Sequence, residues 1–306
     1  MLISSALQDF LRDQRCRGNS PKTVDYYSTV VGYFIHYVGD PDVACIDLRM
    51  LQDYRLSLDD LGLSSVSIQS YVRGLRSFIS WLFDNDYIDT DYCLKFKLPK
   101  AQRKVKDVLT DDEILKLLYH LSGSDWLSRR NYLICCLFLD CGLRLSELVS
   151  LKIDDVHLSE RYLIVTGKGD KQRIVPFGQR CFESFKSWFD LRVFRFHGGH
   201  GFLFVQEHDS GFYYVPITYD TVKMLFRRLK QRVDIPRISP HLLRHTFATR
   251  YLENGGNIYA LQAILGHSSL EIVKQYLHLA NSRIRSDFTK FSPLDRLEQI
   301  SFEIPP

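Results

Sequence analysis

Along residues 1–94, apolar positions recur every three or four residues, the spacing that lines one face of an α-helix. A first helix is predicted over residues 3–15. A second is opened by Ser20 and Pro21, a capping hydroxyl and a ring pre-set for the first helical turn, and carries Val24, Tyr27, Val31, Phe34 and Val38 on one stripe. Two more are predicted near 47–61 and 65–85, the latter with Val66, Tyr71, Leu75, Phe78, Ile79 and Leu82 on its apolar face. No alternating run interrupts them, so the pattern predicts a small helical bundle.

The period is lost in KFKLPKAQRKVK, residues 95–106, where Lys95, Lys97, Lys100, Arg103, Lys104 and Lys106 surround Pro99. The stretch reads as an exposed basic linker, either a solvated tether or a segment that meets an anionic partner. Helical periodicity returns at Thr110-Asp111-Asp112-Glu113, a capping-box pattern. These changes divide the chain into a helical domain over 1–94, a linker over 95–108 and a second domain over 109–306. Helical patterns in the second domain lie near 179–194, 218–232, 240–254, 257–265 and 269–279. RYLIVTGKGDKQRIVPF, residues 161–177, instead alternates on both sides of a glycine-rich turn and predicts a β-hairpin, and FLFV, residues 202–205, reads as a short strand. The expected fold class is mainly α with a small β-hairpin or sheet.

Composition narrows the classes of function. At 306 residues the chain suits about two cores, and 45% hydrophobic content is enough to fill them. No run approaches the roughly 18 apolar residues a membrane span needs, and MLISSALQDFLRDQRCRG is amphipathic, unlike a secretory signal. A cytoplasmic protein with no membrane partner is expected. Seven cysteines show neither CxxC spacing nor paired histidines nearby, and Cys135, Cys136 and Cys141 fall in or beside an apolar helical run, as reduced core thiols would. A net charge of +4 is too mild to identify a nucleic-acid partner, so the clustering of charge carries that question.

Several polar residues stand where local structure does not require them. Arg144 follows the helix-breaking Gly142 and either pairs with Glu147 one turn on or serves chemistry. Lys168 sits at the hairpin tip in TGKGDK, which lacks the spacing of a nucleotide-binding P-loop. His241 and Arg244 lie one turn apart on a helix started by Ser239 and Pro240. A metalloprotease helix would need glutamate where Leu242 stands, and no dense carboxylate cluster suits magnesium, so no metal and no cofactor are expected. His267 could cap a turn, and Tyr276 taken alone is a plausible core aromatic.

Taken together, two arginines, two histidines and a lysine near a tyrosine make a complete chemistry for a phosphodiester. Guanidinium forks neutralise non-bridging oxygens without a metal, which suits Arg144 and Arg244. A phenol with an ordinary pKa near about 10 needs cations or a base before it attacks, a task for His241. Lys168 can supply the proton that the departing sugar oxygen requires.

In this order and spacing, GLRLSELVSL, TGKGDKQRIVP, HLLRHTFAT and AILGHSSLEIVKQYLH resemble the tyrosine recombinase or phage-integrase family, in particular its Xer-like branch. DFLRDQRCRGNSPKTVDYYSTVVGYFIHYV is similar to that family's helical core-DNA-binding domain, so the resemblance spans nearly the whole chain. It implies that Arg144, Lys168, His241, Arg244 and His267 support Tyr276 as the nucleophile of a 3′-phosphotyrosyl intermediate, without metal or ATP. It also implies a partner, double-stranded DNA with paired recombination sites, clamped between the two domains and crossed by the basic linker. A homotetramer would form in synapsis through exchange of the apolar tail after Tyr276. A type IB topoisomerase that only relaxes DNA, and an idle DNA-binding regulator on the same scaffold, are the competing readings. FHGGHGFLFVQEHDSGFYY matches the family poorly, and its His197, His200 and His208 read as surface residues. No arm-binding domain is expected before residue 1, which favours a simple recombinase.

Overall fold

The first four helices of the computed structural model are α1 (Ile3–Cys16), α2 (Pro21–Val38), α3 (Leu48–Asp60) and α4 (Ser65–Asp84). The structure describes residues 1–100, 107–167, 169–195, 201–208 and 214–266. Contacts divide the chain into two units, Met1–Lys106 and Asp107–Pro306.

In the first unit, short polar side chains fix the helix starts. The Ser20, Asp47 and Ser64 side chains accept the backbone N–H groups of Thr23, Met50 and Ser67, donors that a helix start leaves unpaired. The core is strongly aromatic: Phe10 of α1 meets Tyr27, Phe78 and Trp81 with ring centroids 5.1, 5.4 and 5.5 Å away. Val24, Val31 and Phe34 are buried as the stripe on α2 requires. On α4 the buried face is Ile68, Val72, Leu75, Phe78, Ile79 and Leu82. Val66, placed on that face by its spacing, is instead 54% exposed. It lies two residues before Ile68, which on a helix is nearly the opposite side.

Residues 95–100 are strapped to α4. Phe96 is buried, its carbonyl accepts Arg76 Nη1 at 2.6 Å, and the Pro99 carbonyl accepts Gln69 Nε2 at 3.0 Å. Lys95, Lys97 and Lys100 project from this strap and are exposed. Arg103, Lys104 and Lys106 lie outside the described residues.

The second unit runs α5 (Asp111–His120), α6 (Trp126–Asp140), α7 (Leu145–Ser150), β1 (Val156–His157), β2 (Tyr162–Thr166), β3 (Gln172–Pro176), α8 (Gln179–Arg195), β4 (Val205–Glu207), β5 (Tyr214–Pro216), α9 (Tyr219–Arg232), α10 (Pro240–Glu253) and α11 (Ile258–Leu265). The Thr110–Glu113 capping box forms in both directions. Helix α6 is buried without a break from Leu133 to Phe138 and packs against α8 and α10. Cys135, Cys136 and Cys141 are buried free thiols, and burial pushes the Cys135 thiol well above its ordinary pKa.

Strands β2 and β3 form the expected hairpin, in register from Tyr162 opposite Pro176 to Thr166 opposite Gln172. Two features differ from the sequence pattern. A third strand, β1, pairs with β2 although it is only two residues long, too short to show a period. The strand expected over 202–205 is displaced to Val205–Glu207, antiparallel to β5, and Phe202 makes only an isolated bridge to Lys152. Leu203 and Phe204 are buried and supply core volume; the Leu203 carbonyl accepts Trp188 Nε1 at 3.1 Å. The helix expected over 269–279 and the tail lie outside the described residues. Among the described residues, no helix is long and apolar enough to cross a membrane.

If Phe96 anchors the basic stretch, Phe96→Ala should destabilise the first unit by about 3 kcal/mol, as for other large-to-small core changes. Amide hydrogen exchange of the full chain should then accelerate across α4 and leave α6 unchanged. Unaltered exchange in α4 would show that residues 95–100 are a free tether.

Candidate active site

Helix α6 ends at Asp140, and Gly142 turns the chain with φ +60°, a conformation that other residues adopt at a cost. A Cβ there would also run into the Phe247 ring, 2.4 Å from Cδ1. The turn has two consequences. It aims the Gly142 carbonyl at Arg244, whose Nη1 donates to it, and it delivers Arg144 to the N-cap of α7.

Arg144 and Glu147 then bind each other twice. The Arg144 backbone N–H donates to Glu147 Oε2 at 2.7 Å, and its Nη1 donates to Oε1 at 2.8 Å. The i,i+3 pair foreseen as an alternative to function is therefore present. It leaves 37% of the Arg144 side chain exposed. From β3, Arg173 grips the same carboxylate as a fork, with Nη1 to Oε1 at 2.8 Å and Nη2 to Oε2 at 2.9 Å.

All three arginines also reach the C-terminus of α11, where a helix leaves its last carbonyls unpaired and its dipole is negative. Arg173 Nε donates to the Ile264 carbonyl at 2.6 Å, Arg244 Nη2 to Leu265 at 3.0 Å, and Arg144 Nη2 to Gly266 at 3.0 Å. Three consecutive carbonyls thus receive three different guanidiniums. Gly266 permits this approach: its φ is +62°, and a Cβ would lie 3.0–3.1 Å from Arg173 Cδ, Nε and Cζ.

Glu147 is 2% exposed. Burial by itself would raise its pKa, but the hydrogen bonds from Arg173 and from the Arg144 N–H, with the Arg173 charge, outweigh burial and bring it down to about 2. The carboxylate is therefore ionised at neutral pH and neutralises one of the guanidiniums around it. The cluster keeps a cationic excess suited to an anionic substrate.

Arg244 is buried in the middle of α10, and His241 is exposed in the first turn of the same helix, behind the Ser239 cap and Pro240. The structure thus brings Arg144 and Arg244 to adjacent carbonyls and places His241 one turn from Arg244. Lys168, His267 and Tyr276 lie outside the described residues, as do His197 and His200; His208, expected at the surface, is half-buried. Lys95, Lys97 and Lys100 belong to the other unit.

Residues 107–283 match the phage integrase family. Tyrosine recombinase XerD of Halalkalibacterium halodurans is 32% identical over 299 residues, covering 95% of this chain and 98% of that protein. The chain belongs to the phage integrase family of tyrosine recombinases. The crystal structure of XerA recombinase is similar at a TM-score of 0.52 with 29% identity, over 95% of this chain and 99% of that one. The Tn1549 transposon integrase in complex with transposon right end DNA superposes at a TM-score of 0.75 with 23% identity, over 94% and 99% of the two chains, a likeness of fold.

Two site residues of this family member escaped the sequence pattern. Glu147 was visible only as a surface-type partner of Arg144, and Arg173 was hidden inside the hairpin. The available signal was alternation on β3: Arg173 shares a face with the buried Val175, an inward position where an arginine needs a carboxylate.

The depressed pKa of Glu147 carries a sign. A carboxylate near about 4.5 unfolded and about 2 folded contributes stability that is complete above the unfolded value and disappears as pH falls through about 2. The stability gap between wild type and Glu147→Gln should be on the order of 3 kcal/mol above about pH 5 and narrow steadily towards about pH 2. Denaturant melts across that range measure it. A gap independent of pH would show that the carboxylate charge does not hold the cluster.

Proposed function

We propose that this tyrosine-type site-specific recombinase cleaves one DNA strand by attack of the Tyr276 hydroxyl on a backbone phosphorus, forming a 3′-phosphotyrosyl bond and releasing a 5′-hydroxyl end. The observation that carries the reading is the seating of Arg144 and Arg244 on the Gly266 and Leu265 carbonyls, directly before His267 in the chain. Guanidiniums held there need no reorganisation when charge spreads over the non-bridging oxygens of the transition state.

His241 acts as the base that draws the phenol proton, and His267 supports the phosphate. Lys168 gives its proton to the leaving 5′-oxygen. The ester to Tyr276 conserves the energy of the broken bond, so a 5′-hydroxyl can reverse the step without ATP. Positioned cations do the work for which many phosphoryl-transfer enzymes use magnesium. Strand exchange is favoured over relaxation alone and over an idle regulator by family membership and by the assembled arginine pair.

The DNA partner carries paired sites, brought together in a homotetramer through exchange of the tail after Tyr276. Domain 1–94 and domain 109–306 clamp the duplex, and linker 95–108 crosses the backbone. Exposed Lys95, Lys97 and Lys100 support that reading, and phosphate contacts of this kind supply much of the affinity.

Incubation of the protein with a suicide DNA substrate in EDTA should give a covalent adduct at a 3′ end. Tyr276→Phe should bind the same DNA and give none. Loss of cleavage in EDTA, or an adduct with the Phe variant, would overturn the assignment of nucleophile and mechanism.

A further inference from the structure

Arg173 differs from the two arginines assigned to the phosphate. It stands on β3, whereas Arg144 caps α7 and Arg244 lies within α10, and its side chain is 12% exposed against 37% for Arg144. Each of its three nitrogens already has a protein acceptor: Nη1 and Nη2 hold Glu147, and Nε holds the Ile264 carbonyl. With Nε engaged as well as both terminal nitrogens, the guanidinium ties β3 to two other parts of the unit.

Its neighbours show what it does instead. The β2–β3 turn closes with the Gly167 N–H on the Lys171 carbonyl at 2.8 Å. A Cβ on Gly167 would lie 3.7 Å from Arg173 Nη1 and 3.9 Å from Glu147 Oε1, so the base of the turn lies about a methyl group's width from this ion pair. Lys168 is the next residue in sequence. On its other side, the Arg173 side chain packs under Gly266, and the next residue is His267. Through Glu147 it reaches Arg144. One side chain therefore stands beside the supports of three proposed site residues on three separate elements.

We propose that Arg173 is a positioning residue that sets the lysine-bearing hairpin against the Glu147–Arg144 pair and the end of α11, and so aligns the proton donor with the leaving oxygen. The inference rests on the reading of Lys168 as that donor. Arginine is required because three contacts in fixed directions define an orientation. A lysine would keep the charge and lose the fork.

The experiment is single-turnover cleavage by the full chain at saturating protein, on two substrates. One is ordinary DNA. In the other the bridging 5′-oxygen of the scissile phosphate is sulfur, so that the departing group is a thiolate and needs no proton. Arg173→Lys should cleave ordinary DNA about ten- to a hundredfold more slowly than wild type, the size of loss expected when a catalytic group is displaced by about an ångström. DNA affinity should not change. On the sulfur substrate the deficit should largely vanish, following the behaviour of Lys168→Ala measured in parallel. If Arg173→Lys does not fold, Arg173→Gln, whose amide can still donate to Glu147, is read in its place, with the same expected recovery on sulfur.

A wild-type rate on ordinary DNA, or an equal deficit on both substrates, would overturn the proposal. A Lys168→Ala variant that cleaves ordinary DNA normally would instead remove the reading beneath it.

Discussion

A buried carboxylate must be paired, and much of the candidate active site follows from how Glu147 meets that requirement. Left alone in the core of the second unit, its charge would cost several kcal/mol. Two guanidiniums from different elements remove the cost, one from the start of α7 and one from β3. Each then has hydrogen-bonding capacity left over, and both spend it on α11. The carboxylate thereby fixes a helix start, a hairpin and a helix end relative to one another. Breaking one side of such a pair typically costs about 3–5 kcal/mol, because the remaining charge is stranded.

The end of α11 is the second half of the same arrangement. A helix must satisfy its last carbonyls, and here guanidiniums do so on three successive residues, from buried Ile264 to exposed Gly266. Gly266 makes the approach possible by its left-handed turn and its lack of a side chain. The segment that leaves this point carries His267 and Tyr276, so the contacts that end the helix also define where the segment of the proposed nucleophile begins. In the proposed function Arg144 and Arg244 would serve both as caps and as phosphate ligands, and as caps they are held by the protein's own carbonyls.

Much of this was legible in the sequence because the signals were local. Ser20-Pro21, Thr110 to Glu113 and Ser239-Pro240 each announce a helix start within a few residues, and each forms. The GLR turn, the glycine-rich hairpin and HLLRH stood out for the same reason. What stayed hidden depends on partners distant in the chain. Arg173 pairs with a residue 26 positions away, and its Nε acceptor is 91 positions away. The short strand β1 exists only because β2 is beside it. Residues 95–100 look like a tether in composition, yet buried Phe96 and two side chains of α4 hold them down. The displacement of the strand from 202–205 to Val205–Glu207 has a similar origin, since the length of an apolar run does not say whether it pairs with a strand or fills a core.

The claim that Glu147 works by holding Arg144 is tested most directly by a double-mutant cycle on single-turnover DNA cleavage, using Arg144→Lys, Glu147→Gln and their combination. If Glu147 acts through Arg144, the combined variant should be much less impaired than the product of the two single losses, with a coupling of at least about 1 kcal/mol. Losses that multiply in full would contradict the account and make the two residues independent contributors.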